Sequence, residues 1–156
     1  MNTYYELIKS IKETFESDDR VSTVVTGGAT DIDIYKKNIY PLVHVNVIDS
    51  PFIGNESTAV VRYNVEVTVV DIRDINKNEI VNDKFWLNDD RHDNWNETRS
   101  ILKEAENKLV KNINGSDITI EEASVASLLS FAKENTLDGW QQTWVMDVPD
   151  TYTKSC

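Results

Sequence analysis

With 156 residues, 40% of them apolar and 28% charged, the chain is the size of one domain. A domain of that length buries roughly 70% of its unfolded surface, enough for a core without metals or disulfides. Its 27 acidic residues against 16 basic ones leave a net charge of −11, and a field of that sign repels phosphate backbones. The basic residues do not cluster, the densest spots being Lys36 with Lys37 and the helical Lys103, Lys108 and Lys111. The single cysteine, Cys156, excludes an internal disulfide and a cysteine pair for zinc.

Thr3 and Glu6 have the spacing of a capping box. Tyr4, Leu7, Ile8, Ile11 and Phe15 follow at three- and four-residue intervals, which predicts one apolar stripe on a helix ended by residues 17–20. Residues 21–25 are a short β-prone run, closed by Gly27 and Gly28 in a turn that needs positive φ. Residues 29–38 are polar and alternate weakly at Ile32 and Ile34, as a loop or an edge strand would. Tyr40 and Pro41 open a strand. Val43, Val45 and Val47 face one side of it, Leu42, His44, Asn46 and Ile48 the other, and residues 49–51 stop it.

The next strand is the most regular stretch of the chain. Tyr63, Val65, Val67 and Val69 alternate with Arg62, Asn64, Glu66 and Thr68, predicting one buried and one wetted face. Two such strands with a connection near a dozen residues predict an antiparallel pair joined by a long loop. Within 71–93, the apolar residues Ile80, Val81, Phe85, Trp86 and Leu87 suggest a third short strand at 80–87, then a polar lead-in. A second helix is expected from an asparagine cap at Asn94, with Glu97 three residues on. Its stripe is Ile101, Leu102, Ala105, Leu109 and Ile113, and Asn114 with Gly115 supplies a left-handed stop.

The last third returns to strand. Ile118 and Ile120 alternate, residues 125–131 are apolar enough for a buried strand, and residues 137–139 carry a tight-turn signal. Trp140, Trp144, Met146 and Val148 then share one face of a closing strand, opposite Gln141, Thr143, Val145 and Asp147, with Pro149 at its end. The pattern predicts one α+β domain over residues 1–150 and a flexible tail at 151–156. Its sheet is antiparallel or mixed, with both helices on one face and the order α-β-β-β-α-β-β.

No residues read as catalytic, cofactor-binding or metal-binding. His44 is placed mid-strand and His92 in a charged loop. Asp89, Asp90, His92 and Asp93 are metal-ligand types, but neighbours in a loop rarely converge on one ion, and the calcium-loop glycine and glutamate are missing. Gly27 and Gly28 lack the frame of a phosphate-binding loop. Asp31 and Asp33 would project together from an extended segment, which fits a solvated edge better than acid–base chemistry. No serine sits in a nucleophile elbow, and Cys156 has no flanking structure to orient it. Trp86, Trp95, Trp140 and Trp144 could serve as stacking platforms for a sugar or base, but Trp140 and Trp144 share a strand face with Met146 and Val148, which favours core or subunit interface.

The first fifteen residues lack a signal-peptide pattern, and no apolar run approaches the ~20 residues of a membrane span. A cytosolic protein is expected, with the glycosylation-type matches at Asn55, Asn96 and Asn114 arising by chance.

In length and element order the chain resembles bacteriophage tail-terminator and head–tail connector proteins. Residues 39–45, Ile-Tyr-Pro-Leu-Val-His-Val, look like the first long strand of such proteins from phages of Bacteroidetes-type hosts. Leu137-Asp138-Gly139-Trp140, running through Val148 and Pro149 to a tail with a cysteine, is similar to their closing segment. The resemblance implies a virion structural protein, made in the host cytoplasm, with no cofactor and no enzymatic activity. It implies a homo-oligomeric ring at the neck or tail top, in contact with portal, connector or tail proteins. DNA would pass through its lumen without specific binding, and no membrane would be involved. A monomeric acidic module that masks a basic partner is the second reading, and a small enzyme the third.

Overall fold

The computed structural model describes residues 3–27, 39–53, 60–73, 89–111, 117–132 and 136–150. In chain order these form α1 (Thr3–Glu16), β1 (Thr23–Thr26), β2 (Leu42–Asp49), β3 (Val60–Ile72), α2 (Asp89–Val110), β4 (Thr119–Ala123), β5 (Ser127–Ala132) and β6 (Thr136–Pro149). The class is the expected one: α+β, with a mixed six-stranded sheet. The strands lie in the order β1-β2-β3-β6-β4, and β5 pairs with β6 beside β4. β1 runs parallel to β2, and every other described pairing is antiparallel.

The long antiparallel pair at the centre follows from the period-two pattern. β3 and β6 pair without a break from Val60 against Pro149 to Ile72 against Leu137. That register puts Tyr63, Val65, Val67 and Val69 on the same face as Trp144, Met146 and Val148. Both helices cover this face. Leu7, Ile11 and Phe15 of α1 and Ile101, Leu102, Ala105 and Leu109 of α2 meet it in one buried cluster. Phe15 stacks on Trp144 with centroids 6.0 Å apart and planes 2° from parallel. Removing one such side chain from water is worth about 3 kcal/mol. At the surface Arg20 joins the helices, its guanidinium reaching Asp18 at 2.6 Å, Glu104 at 3.0 Å and the Ser100 hydroxyl at 2.9 Å.

A second, smaller core lies on the opposite face at one end of the sheet. It holds Tyr40, Leu42, Val70 and Leu137, with Val25, Ile39 and Ile72 against them. The clean alternation expected of β3 therefore holds only over its first half, since Thr68 and Val70 are buried on the face that was to be wet. His44 is buried there too, paired across the strands with Val25 and Thr68.

Four expectations need correction. Tyr4 is half-exposed, so the buried stripe of α1 begins at Leu7 and includes Ser10 and Thr14. Asn94 is not a cap, because α2 starts at Asp89, where aspartates suit the positive end of a helix. Asn94 is instead buried inside the helix, and its amide donates to the Ile72 carbonyl at 3.2 Å. Residues 137–139 are not a turn but part of β6, whose pairing with β5 reaches Ala132 opposite Thr136. The glycine is needed for closeness instead: a Cβ on Gly139 would overlap the Val69 carbonyl oxygen. β5, expected to be buried, is an edge strand, with Ser127, Leu128 and Ser130 exposed. Gly27 does take the positive φ expected of it, at 119°. The expected strand at 80–87, Gly28, Lys36, Lys37, the helix stop at Asn114 and Gly115, and the tail 151–156 lie outside the described residues.

Candidate interaction surface

Two groups of polar and aromatic side chains gather where the first half of α2 crosses β5 and β6. The inner one is centred on Asp138, which is fully buried. Arg73 grips its carboxylate with two bonds, Nη2 to Oδ1 at 2.6 Å and Nε to Oδ2 at 3.0 Å. Ser130 donates to Oδ1 at 2.9 Å, and the Asn94 amide approaches Oδ2 at 3.4 Å. One carboxylate of β6 thus joins β5, α2 and the residue that follows β3. A buried charge needs this many partners to remain charged.

Asp71 lies directly across the strands from Asp138. Its own carboxylate accepts from the Ile72 amide at 2.8 Å. Burial raises its pKa from 3.8 to about 6, and the negative charges of Glu97 and Asp138 push the same way. Arg73 is committed to Asp138, so among the described residues it is the Asp138 carboxylate, not Asp71, that holds the junction together.

The outer group lies along α2. Arg91, Trp95 and Arg99 recur every four residues and so share one helix face. The Arg91 guanidinium lies 5.2 Å from the centroid of the Trp95 ring, and Arg99 lies 5.9 Å from that of Trp140. The Trp95 indole N–H donates to the Leu129 carbonyl at 3.0 Å, and Trp140 donates to the Trp95 carbonyl at 2.8 Å. Leu128, opposite Trp140 in register and 48% exposed, extends the patch to the rim of β5. The chain has five arginines, and Arg20, Arg62 and Arg73 each hold a carboxylate. Arg91 and Arg99 meet rings instead, and among the described residues neither has a carboxylate partner. Arg91 Nε and Arg99 Nη1 are buried nitrogens without an acceptor.

The residues singled out in the sequence fall in different parts of the fold. His92 and Asp93 lie on α2 rather than in a loop. His92 packs edge-on against Trp95, with centroids 5.6 Å apart. His44 is in the second core, on the far side of the sheet. Trp144 is core, while Trp140 is partly buried and joins the patch. Asp31, Asp33, Trp86 and Cys156 lie outside the described residues, and nothing of the side chains of Asp89 and Asp90 is described. Sequence reasoning missed Arg91 and Arg99. Their four-residue spacing around Trp95 was visible, but a helix started at Asn94 leaves Arg91 outside it. The sequence matches no protein-family model and no curated protein.

Proposed function

We propose that this chain is a structural assembly protein that closes into a homo-oligomeric ring at the neck or tail top of a phage particle. The ring joins the portal or connector side to the tail and lets DNA through its lumen. One observation carries the reading: the described sheet ends in two unlike edges. One is β1, four residues long and parallel to its neighbour. The other is the interrupted β4–β5 edge, with Val125 86% exposed and Leu128 beside it. Among the described residues no further strand pairs with either. A subunit with unlike ends associates head to tail, and head-to-tail contacts close into rings when the rotation per step allows.

Charge and element order support the same reading. At −11 the chain attracts no phosphate overall, which suits a passage that DNA crosses without sticking. The order of helices and strands, and the segments at 39–45 and 137–140, are those of the resemblance to tail-terminator and connector proteins. No helix among the described residues is long and apolar enough to cross a membrane.

Light scattering across a concentration series, with negative-stain imaging of any large species, tests this. A discrete ring-shaped particle is the expected result. A protein that stays monomeric at every concentration, alone and beside neck and tail proteins, overturns it in favour of the monomeric binding module.

A further inference from the structure

We infer that the arginine–tryptophan patch of α2 is the receiving half of a subunit contact, and that its occupant is the Asp49–Phe52 corner of a second copy. This rests on the ring reading and deepens it. The patch is Arg91, Trp95 and Arg99 on α2 with Trp140 and Leu128 on the adjoining strands. Its two guanidiniums are half-sequestered against rings and have no carboxylate partner among the described residues, in a chain with eleven more acidic than basic residues. An arginine already stacked on an aromatic ring loses little freedom when a carboxylate arrives. A receiving site that is cationic and aromatic calls for an occupant that is anionic and apolar.

The chain carries such a surface at the diagonally opposite corner of the sheet. β5 pairs with the first part of β6, at the end of the sheet where β2 begins. β2 leaves the sheet at the other end, three strands from β5, and its exit displays Ile48, Asp49 and Phe52. Phe52 is 88% exposed, the most exposed large apolar side chain among the described residues. The Asn64 amide holds one oxygen of the exposed Asp49 at 2.6 Å and so orients the carboxylate. The exit itself is pinned by Ser50, whose hydroxyl donates to the Arg62 carbonyl at 2.7 Å. Patch and corner are unlike, complementary in charge, and too far apart to meet within one subunit. Aromatic rings and arginine are the side chains that most often dominate such contacts. Nucleic acid is the less favoured occupant, because the surrounding field opposes phosphate.

The test uses two double variants of the full chain, Arg91→Glu with Arg99→Glu, and Asp49→Ala with Phe52→Ala. Each is compared with wild type by light scattering and native mass spectrometry. Each variant alone is expected to stay monomeric at concentrations roughly tenfold or more above those at which wild type assembles. Mixed in equal amounts they are expected to give a 1:1 heterodimer and nothing larger, since one intact patch then meets one intact corner. Thermal melts check that the variants fold. Should the glutamate variant fail to fold, Arg91→Lys with Arg99→Lys replaces it, and is expected to weaken assembly several-fold by losing the stacked planar fork. Variants that assemble like wild type, or a mixture that yields no heterodimer, overturn the contact while leaving the ring standing. A monomeric wild type fails the ring reading itself, and the contact with it. If wild type retains a labelled single-stranded oligonucleotide and the glutamate variant does not, the patch is a nucleic-acid site and the inference is wrong.

Discussion

On one flank β6 pairs with β3 from Leu137 to Pro149 without interruption. On the other it meets β4 and β5, which are separated by residues 124–126 and carry an irregularity between Ile120 and Glu122. The inner flank is closed by side chains that leave no slack, down to a glycine whose Cβ would overlap a neighbouring carbonyl. The outer flank is held partly by substitutes. At the gap the Ser124 hydroxyl accepts from the Thr143 amide at 2.9 Å, and the Ser124 carbonyl accepts from the Gln142 side chain at 2.8 Å. The difference separates two jobs on one strand. An unbroken ladder fixes the fold, and a broken one leaves backbone and apolar side chains exposed at the rim.

Asp138 is where the two flanks are joined, and removing it is the most disruptive way to test the contrast. Asp138→Ala leaves Arg73 nearly buried without its counter-ion and frees Ser130 and Asn94. A stability loss of about 3–5 kcal/mol is expected by urea denaturation, the range for breaking one side of a buried pair. Amide exchange in β5 should then rise to the rate set by global unfolding. If β5 frays while β3 and β6 keep their protection, the carboxylate serves the outer flank alone.

Asp71 sharpens the picture with the opposite sign. Its pKa is raised in the fold, to about 6 from 3.8. The stability it contributes is therefore fully present below about pH 3.8 and is lost as pH rises through about 6. Asp71→Asn removes that loss. The variant should be more stable than wild type at pH 7 by about 1 kcal/mol after allowance for solvent screening, and equal to it near pH 3.5. Chemical denaturation at the two pH values reads the difference. The lowered pKa of Asp18, held down chiefly by its hydrogen bond to Arg20, works in reverse: its contribution is present above the ordinary carboxylate range and fades in acid.

Ser124→Ala is the mildest probe. It strips one substitute bond from the outer flank at an exposed position, and a loss of about 0.5 kcal/mol is expected. The informative readout is local, with faster hydrogen exchange at Thr143 and no change along β3. Equal acceleration on both flanks contradicts the division of labour.

Much of this architecture was legible in the sequence because the residues that carry it are periodic. The stripe of α1 from Leu7 to Phe15, the alternation of β3 and the shared face of Trp144, Met146 and Val148 all reappear as the main core. What was illegible depends on contacts distant in sequence. Val70 and Leu42 look like ordinary strand residues, and only their packing with Leu137 and Tyr40 shows that the sheet carries a second core on its other face at that end. Leu-Asp-Gly at 137–139 has the composition of a turn. It is a strand because Asp138 finds Arg73, 65 residues away, and because Gly139 lets β3 come close. The candidate surface was half legible: Trp140 was seen as core or interface, whereas Arg91 and Arg99 gained meaning only once α2 began at Asp89.

The interruption after β4 also bears on solubility. A straight, unbroken outer edge running the length of β6 would be a template onto which another chain adds strand by strand, the route to amyloid-like fibres. An irregularity at Glu122, a three-residue gap and the Trp95 indole spent on the Leu129 carbonyl leave no long stretch of free ladder to copy. An edge of this kind can expose apolar side chains and still be too irregular to nucleate an open-ended aggregate.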